Sequence, residues 1–146
     1  MRTEECIFFQ LAKADQSGAH YWQEKVAPLG LTAVQAMILN TLSDDDGAPA
    51  GRLGERVQLT SATLTGIIDR LEKLGFAERR ASKKDRRAVL VCLTDKGRQV
   101  VGEIKPLLAG ANREFLAGLS SKEQKQLRGL LQKLRNSRQA GAALTA

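Results

Sequence analysis

Residues 60–98 read TSATLTGIIDRLEKLGFAERRASKKDRRAVLVCLTDKGR, and this stretch decides the fold. A hydroxyl side chain opens an amphipathic helix, which is expected to stop in a left-handed conformation at Gly75. After a short apolar step, a basic loop over residues 79–87 leads into an apolar strand over residues 88–93. Helix, short strand, basic hairpin and second strand is the element order of a winged helix-turn-helix.

Two helices are predicted ahead of the helix-turn-helix. Residues 3–27 have a helical apolar pattern that ends at Pro28. Thr32 is expected to cap the second helix, because Gln35 stands at the reciprocal position of a capping box. The buried side of that second helix is expected to comprise Val34, Met37, Ile38, Leu39 and Leu42.

The helix-turn-helix is predicted to lie just before and inside the quoted stretch. Residues 43–51 carry Asp, Gly and Pro in turn positions and predict a loop. A short helix over about residues 51–57 and a brief turn precede the next helix, which Thr60 or Ser61 caps. The inward residues of that helix are predicted to be Leu64, Ile67, Ile68, Leu71 and Leu74.

The remainder of the chain predicts one strand and two helices. In the strand, alternation places Val89, Val91 and Leu93 on one face and Leu90 and Cys92 on the other. Thr94 is expected to cap a long helix that reaches about Leu119, with a kink at Pro106. Two helices with a break at Lys105 are the alternative. A last helix follows Ser120, which forms a capping pair with Glu123.

The charge distribution indicates a polyanionic partner. The chain of 146 residues has a net charge of +7, and residues 79–98 contain eight Lys or Arg against two Asp, which leaves +6 in this segment. Two cysteines are too few for a disulfide scaffold, and no signal peptide or membrane-spanning run is visible, so we predict a cytoplasmic protein. No metal-ligand spacing, phosphate-binding loop or nucleophile with a base is present, so we predict neither an enzyme nor a cofactor.

The side chains predicted to meet DNA fall into two groups. The outward N-terminal part of the recognition helix carries small and hydroxyl residues that allow close approach, with a cation further along. The loop before the strand has the composition of a wing tip, where an arginine can enter the minor groove. Asp85 is expected to hold the Arg87 guanidinium in one pose. The full predicted set is Ser61, Ala62, Thr63, Thr65, Arg70, Lys83, Lys84, Asp85, Arg86 and Arg87.

The start of the first helix predicts a contact with another chain. Ile7, Phe8, Phe9 and Leu11 lie close to the N-terminus, where a chain usually frays in water. Because exposing these side chains is unfavourable, we expect them to meet a partner surface, and a second copy of the chain is the obvious candidate.

Three segments together resemble the MarR family of bacterial transcriptional regulators. They are DRLEKLG at residues 69–75, DRR at residues 85–87 and LTDKG at residues 93–97, and the likeness extends over about residues 5–136. The resemblance implies a homodimeric, mainly α-helical protein with a small β-hairpin, which binds palindromic double-stranded DNA, most often as a repressor. It assigns residues 1–30 and 99–146 to dimerisation and residues 31–98 to the winged helix-turn-helix.

The resemblance also leaves several points open. Many members carry Arg where this chain has Gly66, so base readout is expected to be weaker or to move to Arg70 or the wing. Relatives commonly release DNA when a small aromatic or phenolic acid binds, and the candidates near such a crevice are His20, Tyr21, Trp22 and Met37. Each of these has ordinary packing as its alternative.

Two other functions stay in view. Some relatives sense organic hydroperoxides with a cysteine near the start of the first helix, a context that Cys6 resembles; its alternative is a small apolar residue at the dimer base. A winged helix that binds a partner without reading DNA sequence is the other possibility. Cys92 is expected to be buried and inert.

Overall fold

The computed structural model describes the backbone of residues 1–143 and the side chains of residues 1–136. The chain forms two compact units, Met1–Ala111 and a second that begins at Asn112. The helices are α1 (Ile7–Val26), α2 (Ala33–Asp44), α3 (Ala50–Val57), α4 (Ser61–Lys73), α5 (Asp95–Phe115) and α6 (Ser121–Ala143), and the strands are β1 (Ala48–Pro49), β2 (Ala77–Ala81) and β3 (Val89–Leu93). Short 3-10 helices cover Thr3–Glu5 and Ala27–Leu29. The predicted fold class, a mainly helical winged helix-turn-helix, is confirmed.

The sheet has three antiparallel strands in the order β1-β3-β2. Strands β2 and β3 form the predicted hairpin, with Ala77 opposite Leu93 and Ala81 opposite Val89. Strand β1 lies inside the segment that was predicted to be only a loop, and it pairs Ala48 with Val91. Two residues are too few to show the alternation by which a strand is recognised in a sequence.

The predicted helix starts at Thr32, Thr60 and Ser120 have the hydrogen bonds that a cap requires. The Thr32 hydroxyl accepts from the Gln35 backbone N–H at 3.2 Å, and the Gln35 side chain accepts from the Thr32 backbone N–H at 2.9 Å. Thr60, rather than Ser61, caps α4. At the start of α6, Glu123 accepts from the Ser120 backbone N–H at 2.8 Å and from its hydroxyl at 2.7 Å.

Helix α5 is continuous through Pro106, so the alternative of two helices broken at Lys105 is wrong. The helix ends at Phe115, earlier than the predicted end near residue 119. Proline has no N–H to donate within the helix, yet the rest of α5 keeps its register because Ile104 and Ala111 on either side are buried.

The core of the first unit packs α2, α4, α5 and the sheet around large buried aliphatic side chains. They include Ile38, Leu39, Leu42, Leu53, Leu64, Ile68, Leu71, Val91 and Ile104. Three residues predicted to face inward, Val34, Met37 and Leu74, are exposed within one chain. The buried face is therefore narrower than predicted in both α2 and α4.

The predicted alternation of β3 is also wrong at its C-terminal end. Val89 is exposed, whereas Val91, Cys92 and Leu93 are all buried. The turn before β1 covers the second face of the strand: a Cβ atom at Gly47 would lie 3.8 Å from the Cys92 sulfur. A strand covered on both faces does not alternate between apolar and polar residues.

No single helix in the described part of the chain is long and apolar enough to cross a membrane. The bent pair Ile7–Leu29 and Ala33–Asp44, whose parts meet at 77°, satisfies that length and composition criterion only when the two are taken together.

Candidate nucleic-acid interface

The first turn of α4 presents an open surface of small side chains. Ser61, Ala62, Thr63 and Thr65 are exposed, while Leu64 faces the core. The Thr60 hydroxyl accepts from the Thr63 backbone N–H at 3.3 Å and donates to the Thr63 hydroxyl at 2.9 Å. The Thr63 side chain is exposed beside the helix N-terminus, which favours a negatively charged group such as a phosphate.

The turn between α3 and α4 holds the two helices close together. Gln58 adopts a left-handed backbone conformation with φ of +55°, and the Leu59 N–H donates to the Gly54 carbonyl oxygen at 3.1 Å. A Cβ atom at Gly54 would lie 3.4 Å from a methyl carbon of Leu64. This distance is an ordinary van der Waals contact, so α3 and α4 pack closely at this point.

The wing tip is a compact turn closed by its own side chains. The Ser82 hydroxyl accepts from the backbone N–H groups of Lys84 and Asp85 at 3.3 and 3.2 Å. The Asp85 carboxylate accepts from the Arg87 backbone N–H at 2.9 Å. These bonds close the turn with side-chain oxygens as acceptors, and the four basic side chains of the tip are exposed.

The Asp85–Arg87 contact differs from the one predicted. Asp85 was expected to hold the Arg87 guanidinium, but it binds the backbone of Arg87 instead. The spacing of two residues explains this, because an Asp side chain readily closes a turn onto the N–H two residues later. Asp85 thus shapes the tip and leaves the Arg87 guanidinium exposed.

The cations of the basic segment divide into two classes. Arg80 pairs with Glu78 and Arg98 pairs with Asp46, so these charges are already neutralised within the protein. By contrast, the wing-tip cations Lys83, Lys84, Arg86 and Arg87, and Arg70 of α4, are exposed and make no ion pair within the described residues. The counter-charge for this second class must come from solvent ions or from a bound polyanion.

Arg79 has a structural role that its place in a run of basic residues does not reveal. It lies in β2, and its guanidinium reaches three groups of α4: the carboxylates of Asp69 and Glu72 and the carbonyl oxygen of Thr65. The pKa of Arg79 is raised, because the hydrogen bond to Asp69 and the charges of Glu72 and Asp69 outweigh the effect of burial, which alone would lower it. In the sequence, its position two residues after Ala77 places it on the same face of β2 as that buried residue.

The start of α5 is tied to the end of α4 by the Thr-Asp-Lys-Gly segment. The Thr94 hydroxyl donates to the Gly75 carbonyl oxygen at 2.6 Å and accepts from the Gly97 N–H at 3.0 Å. The Lys96 ammonium donates to the Leu74 carbonyl oxygen at 2.8 Å and lies 4.8 Å from the centre of the Phe76 ring. The hydrogen bonds from Thr94 and Lys96 thus satisfy the Gly75 and Leu74 carbonyl groups at the C-terminal end of α4, where carbonyl groups lack partners inside the helix.

The side chains of the four residues predicted to line a ligand crevice do not all point to the same side of the protein. His20 is largely exposed and lies 3.3 Å from Glu24, whereas the half-buried Trp22 donates its indole N–H to the Ala33 carbonyl oxygen at 3.2 Å. The Tyr21 ring lies 5.0 Å from the Lys25 ammonium, and Met37 is exposed on α2. Consecutive residues of a helix point about 100° apart, so His20, Tyr21 and Trp22 cannot all face one pocket.

The two cysteines lie in different environments. Cys6 is half-buried immediately before α1, whereas Cys92 is buried in β3. Burial raises the pKa of the Cys92 thiol, which supports its predicted inert role. Within the described residues, no group of three or more His, Cys, Asp or Glu side chains is placed to hold a metal ion.

Comparison with known proteins identifies this architecture. The model described as the MarR family matches residues 31–89. The transcriptional regulator HosA of Escherichia coli O127:H6 is 30% identical over 130 residues, which cover 89% of this chain and 95% of HosA.

Two solved structures are similar along almost their whole length. A probable transcriptional regulator from Pseudomonas aeruginosa has a TM-score of 0.86 and 34% identity, covering 91% of this chain and 99% of that one. BpsR of Bordetella bronchiseptica, whose DNA binding is regulated by 6-hydroxynicotinic acid, has a TM-score of 0.86 and 27% identity, covering 92% and 96%.

The fold and the exposed basic wing define a winged-helix, DNA-binding transcriptional regulator. The chain belongs to the MarR family.

Proposed function

We propose that this regulator is a homodimeric repressor that binds a palindromic double-stranded DNA operator through α4 and the wing. The observation that carries the proposal is the set of four unneutralised cations at the wing tip, Lys83, Lys84, Arg86 and Arg87. The wing is joined through Arg79 to the helix whose first turn is open, so the two proposed DNA-reading elements are in direct contact. Ser61, Ala62, Thr63, Thr65 and Arg70 are assigned to the major groove, and the wing tip, shaped by Asp85, is assigned to the minor groove.

Exposed apolar side chains support the homodimer in each of the two units. In the first, Phe8 is 74% and Ile7 50% exposed at the start of α1. In the second, α6 exposes Leu127, Leu130 and Leu131 along one stripe. Burying one such side chain contributes roughly 1.5–3 kcal/mol. Residues 1–30 and 99–146 are therefore proposed as the dimerisation region and residues 31–98 as the DNA-binding domain.

A symmetric dimer accounts for the proposed palindrome. Two identical recognition helices related by a two-fold axis meet two identical half-sites, separated by about one turn of DNA. Repression follows when such a dimer covers a promoter. A cytoplasmic location, where the regulator would reach the DNA, stays a prediction.

The proposed effector is a small aromatic or phenolic acid. The support is the similarity to BpsR, whose DNA binding 6-hydroxynicotinic acid regulates. The candidate contacts are Met37 and those of His20, Tyr21 and Trp22 that face the ligand, since the three consecutive residues cannot all do so. Because the indole N–H of Trp22 is engaged with Ala33, Trp22 is expected to offer its ring face rather than a hydrogen bond.

The DNA proposal is tested by fluorescence anisotropy with the promoter beside the protein's own gene and a shuffled duplex of equal length. We expect promoter binding about a thousandfold tighter than shuffled binding at physiological salt. Arg87→Gln should weaken binding to both and reduce the salt slope by about one. Equal affinity for the two duplexes would instead support a winged helix that binds a partner without reading sequence.

The dimer and the effector need separate measurements. Light scattering after gel filtration should give twice the chain mass of 15.9 kDa, and Phe8→Glu should shift the protein towards monomer. For the effector, a panel of hydroxylated aromatic acids is added to the promoter complex, with cyclohexanecarboxylate as the non-aromatic control. Release by an aromatic acid alone is expected, and no release by any member of the panel would contradict the proposal.

A further inference from the structure

The geometry points to Arg79 as a positioning residue that sets the angle between the wing and the recognition helix, and we propose that operator selectivity depends on it. This inference rests on the proposed function, because it concerns how the same interface reads DNA. Arg79 itself is not assigned a DNA contact.

One side chain of the wing spans two turns of α4. The Arg79 Nη1 lies 2.7 Å from Asp69 Oδ1 and also contacts a Glu72 carboxylate oxygen, while Nη2 donates to the Thr65 carbonyl oxygen at 3.4 Å. Residues 65, 69 and 72 are spaced by four and three, so their groups lie along one face of the helix. A single guanidinium therefore fixes both the distance and the direction of the wing relative to that face.

Glu72 binds Arg79 twice. One carboxylate oxygen accepts from the Arg79 backbone N–H at 2.8 Å, and the other contacts the guanidinium. The backbone bond anchors the strand, and the side-chain bond fixes the fork of the guanidinium. A planar guanidinium is pre-organised for such paired contacts, which a lysine ammonium cannot reproduce.

The position of this cluster in the fold connects it to DNA reading. Thr65 belongs to the proposed groove-facing set, and its carbonyl oxygen is one of the three groups that Arg79 contacts. On the other side, Arg79 lies opposite Val91 in the hairpin whose tip carries the exposed cations. A change in the Arg79 contacts would thus shift the wing tip relative to the first turn of α4. The operator fits only when both elements reach their grooves together.

The Arg79 guanidinium also neutralises part of the charge of two carboxylates of the recognition helix, Asp69 and Glu72. Asp69 is half-exposed and Glu72 is about one-third exposed. With Arg79 in place, the cluster has a net charge of −1 instead of −2 beside the proposed DNA surface. This charge effect acts on any DNA, whereas the positioning effect acts on the operator alone, so the two can be separated.

The matched variants are Arg79→Gln and Arg80→Gln. Both remove one positive charge from β2, but among the described residues Arg80 forms an ion pair only with Glu78 on its own strand, and it is 61% exposed. We expect Arg79→Gln to reduce the ratio of promoter to shuffled-DNA affinity about tenfold, and Arg80→Gln to change it less than twofold. The salt slope of Arg79→Gln should equal that of Arg80→Gln, because neither loses a phosphate contact of its own. A larger loss of slope in Arg79→Gln would mean that Arg79 touches DNA, which would overturn the positioning role.

A third variant separates positioning from charge. Arg79→Gln combined with Asp69→Asn and Glu72→Gln removes the whole cluster and makes the protein more positive than the parent. Affinity for shuffled DNA should rise, while the low selectivity of Arg79→Gln should persist. If the triple variant regained the parent's selectivity, Arg79 would act only by neutralising the carboxylates and the inference would fail.

Hydrogen exchange without DNA keeps this test independent of the proposed function. Amides of residues 77–93 should exchange several times faster in Arg79→Gln than in Arg80→Gln, because the wing loses its anchor on α4. Equal exchange in the two variants would overturn the positioning role even if the parent protein failed to prefer its promoter. If the parent protein bound both duplexes equally while the difference in hydrogen exchange was present, only the proposed operator binding would be rejected.

Discussion

Gly97, in the first turn of α5, lies directly against the carbonyl oxygen of Phe76. A Cβ atom at position 97 would be 1.9 Å from that oxygen, so the backbone of α5 approaches the chain entering β2 as closely as a glycine permits. The same oxygen accepts from the Thr94 N–H at 3.2 Å. The glycine of the Leu-Thr-Asp-Lys-Gly segment is thus explained by a close backbone contact rather than by an unusual φ angle.

Gly97→Ala is expected to destabilise the fold by about 3 kcal/mol, because a backbone oxygen cannot turn aside as a side chain can. Urea unfolding followed by circular dichroism measures the change. Gly102→Ala is the matched control in the same helix, since a Cβ there meets nothing within 4 Å. The control should gain up to about 1 kcal/mol from improved helix propensity. Similar free energies of unfolding for the two variants would show that the contact between Gly97 and the Phe76 oxygen does not exclude a side chain at position 97.

Gln58→Gly is expected to raise the free energy of unfolding by about 0.5 kcal/mol. A left-handed conformation costs an L-residue about 1–2 kcal/mol, and glycine avoids this cost while losing more chain entropy on folding. Gln58 has φ of +55° in the turn between α3 and α4. Gln58→Ala keeps the cost of the left-handed backbone, so its free energy of unfolding should not rise in the same experiment. A rise in Gln58→Ala without one in Gln58→Gly would contradict the explanation.

Asp85→Asn should retain operator affinity, whereas Asp85→Ala should weaken it about threefold to tenfold. The reason is that Asp85 accepts from the Arg87 backbone N–H, and an asparagine oxygen can accept the same bond. Anisotropy with the promoter duplex measures the difference. If Asn and Ala weakened binding equally, the charge of Asp85, acting on the Arg87 guanidinium, would be the important property after all.

Cys92 is expected to resist alkylation by iodoacetamide at pH 8 until the protein unfolds. Burial raises the pKa of its thiol, so the folded protein holds less thiolate at this pH than the unfolded chain does. Because folding favours the neutral thiol, Cys92 contributes to stability at low pH, and this contribution decreases as the pH rises above the ordinary cysteine pKa. Mass spectrometry of Cys6→Ser, which leaves Cys92 as the single cysteine, gives the rate without interference.

The same variant addresses the peroxide-sensing alternative. Cys6 is half-buried immediately before α1. If organic hydroperoxide releases the parent protein from its promoter and Cys6→Ser remains bound, redox sensing replaces the aromatic acid as the proposed signal. A response that persists in Cys6→Ser would exclude Cys6 as the sensor.

Most of the helical architecture could be predicted because its signals are local. The capping pairs at Thr32 and Ser120 were identified from two residues three positions apart, and both form the expected hydrogen bonds. The stripe of Leu64, Ile68 and Leu71 was also visible at helical spacing. The exceptions depend on distant packing: β1 exists because Ala48 reaches Val91, and Cys92 is buried because the turn at Gly47 covers it.

The sequence by itself determined the order of the elements, the positions of the caps and the excess of positive charge between residues 79 and 98, since composition and short-range spacing specify each of these. Only the tertiary structure decided which of those charges remain exposed. Arg79 and Arg87 are both arginines of one basic segment, yet Arg79 is bound by carboxylates from α4 and Arg87 faces solvent. The physical reason is that an ion pair depends on which groups the folded backbone brings within about 4 Å, and nine residues of α4, turn and strand lie between Asp69 and Arg79 along the chain.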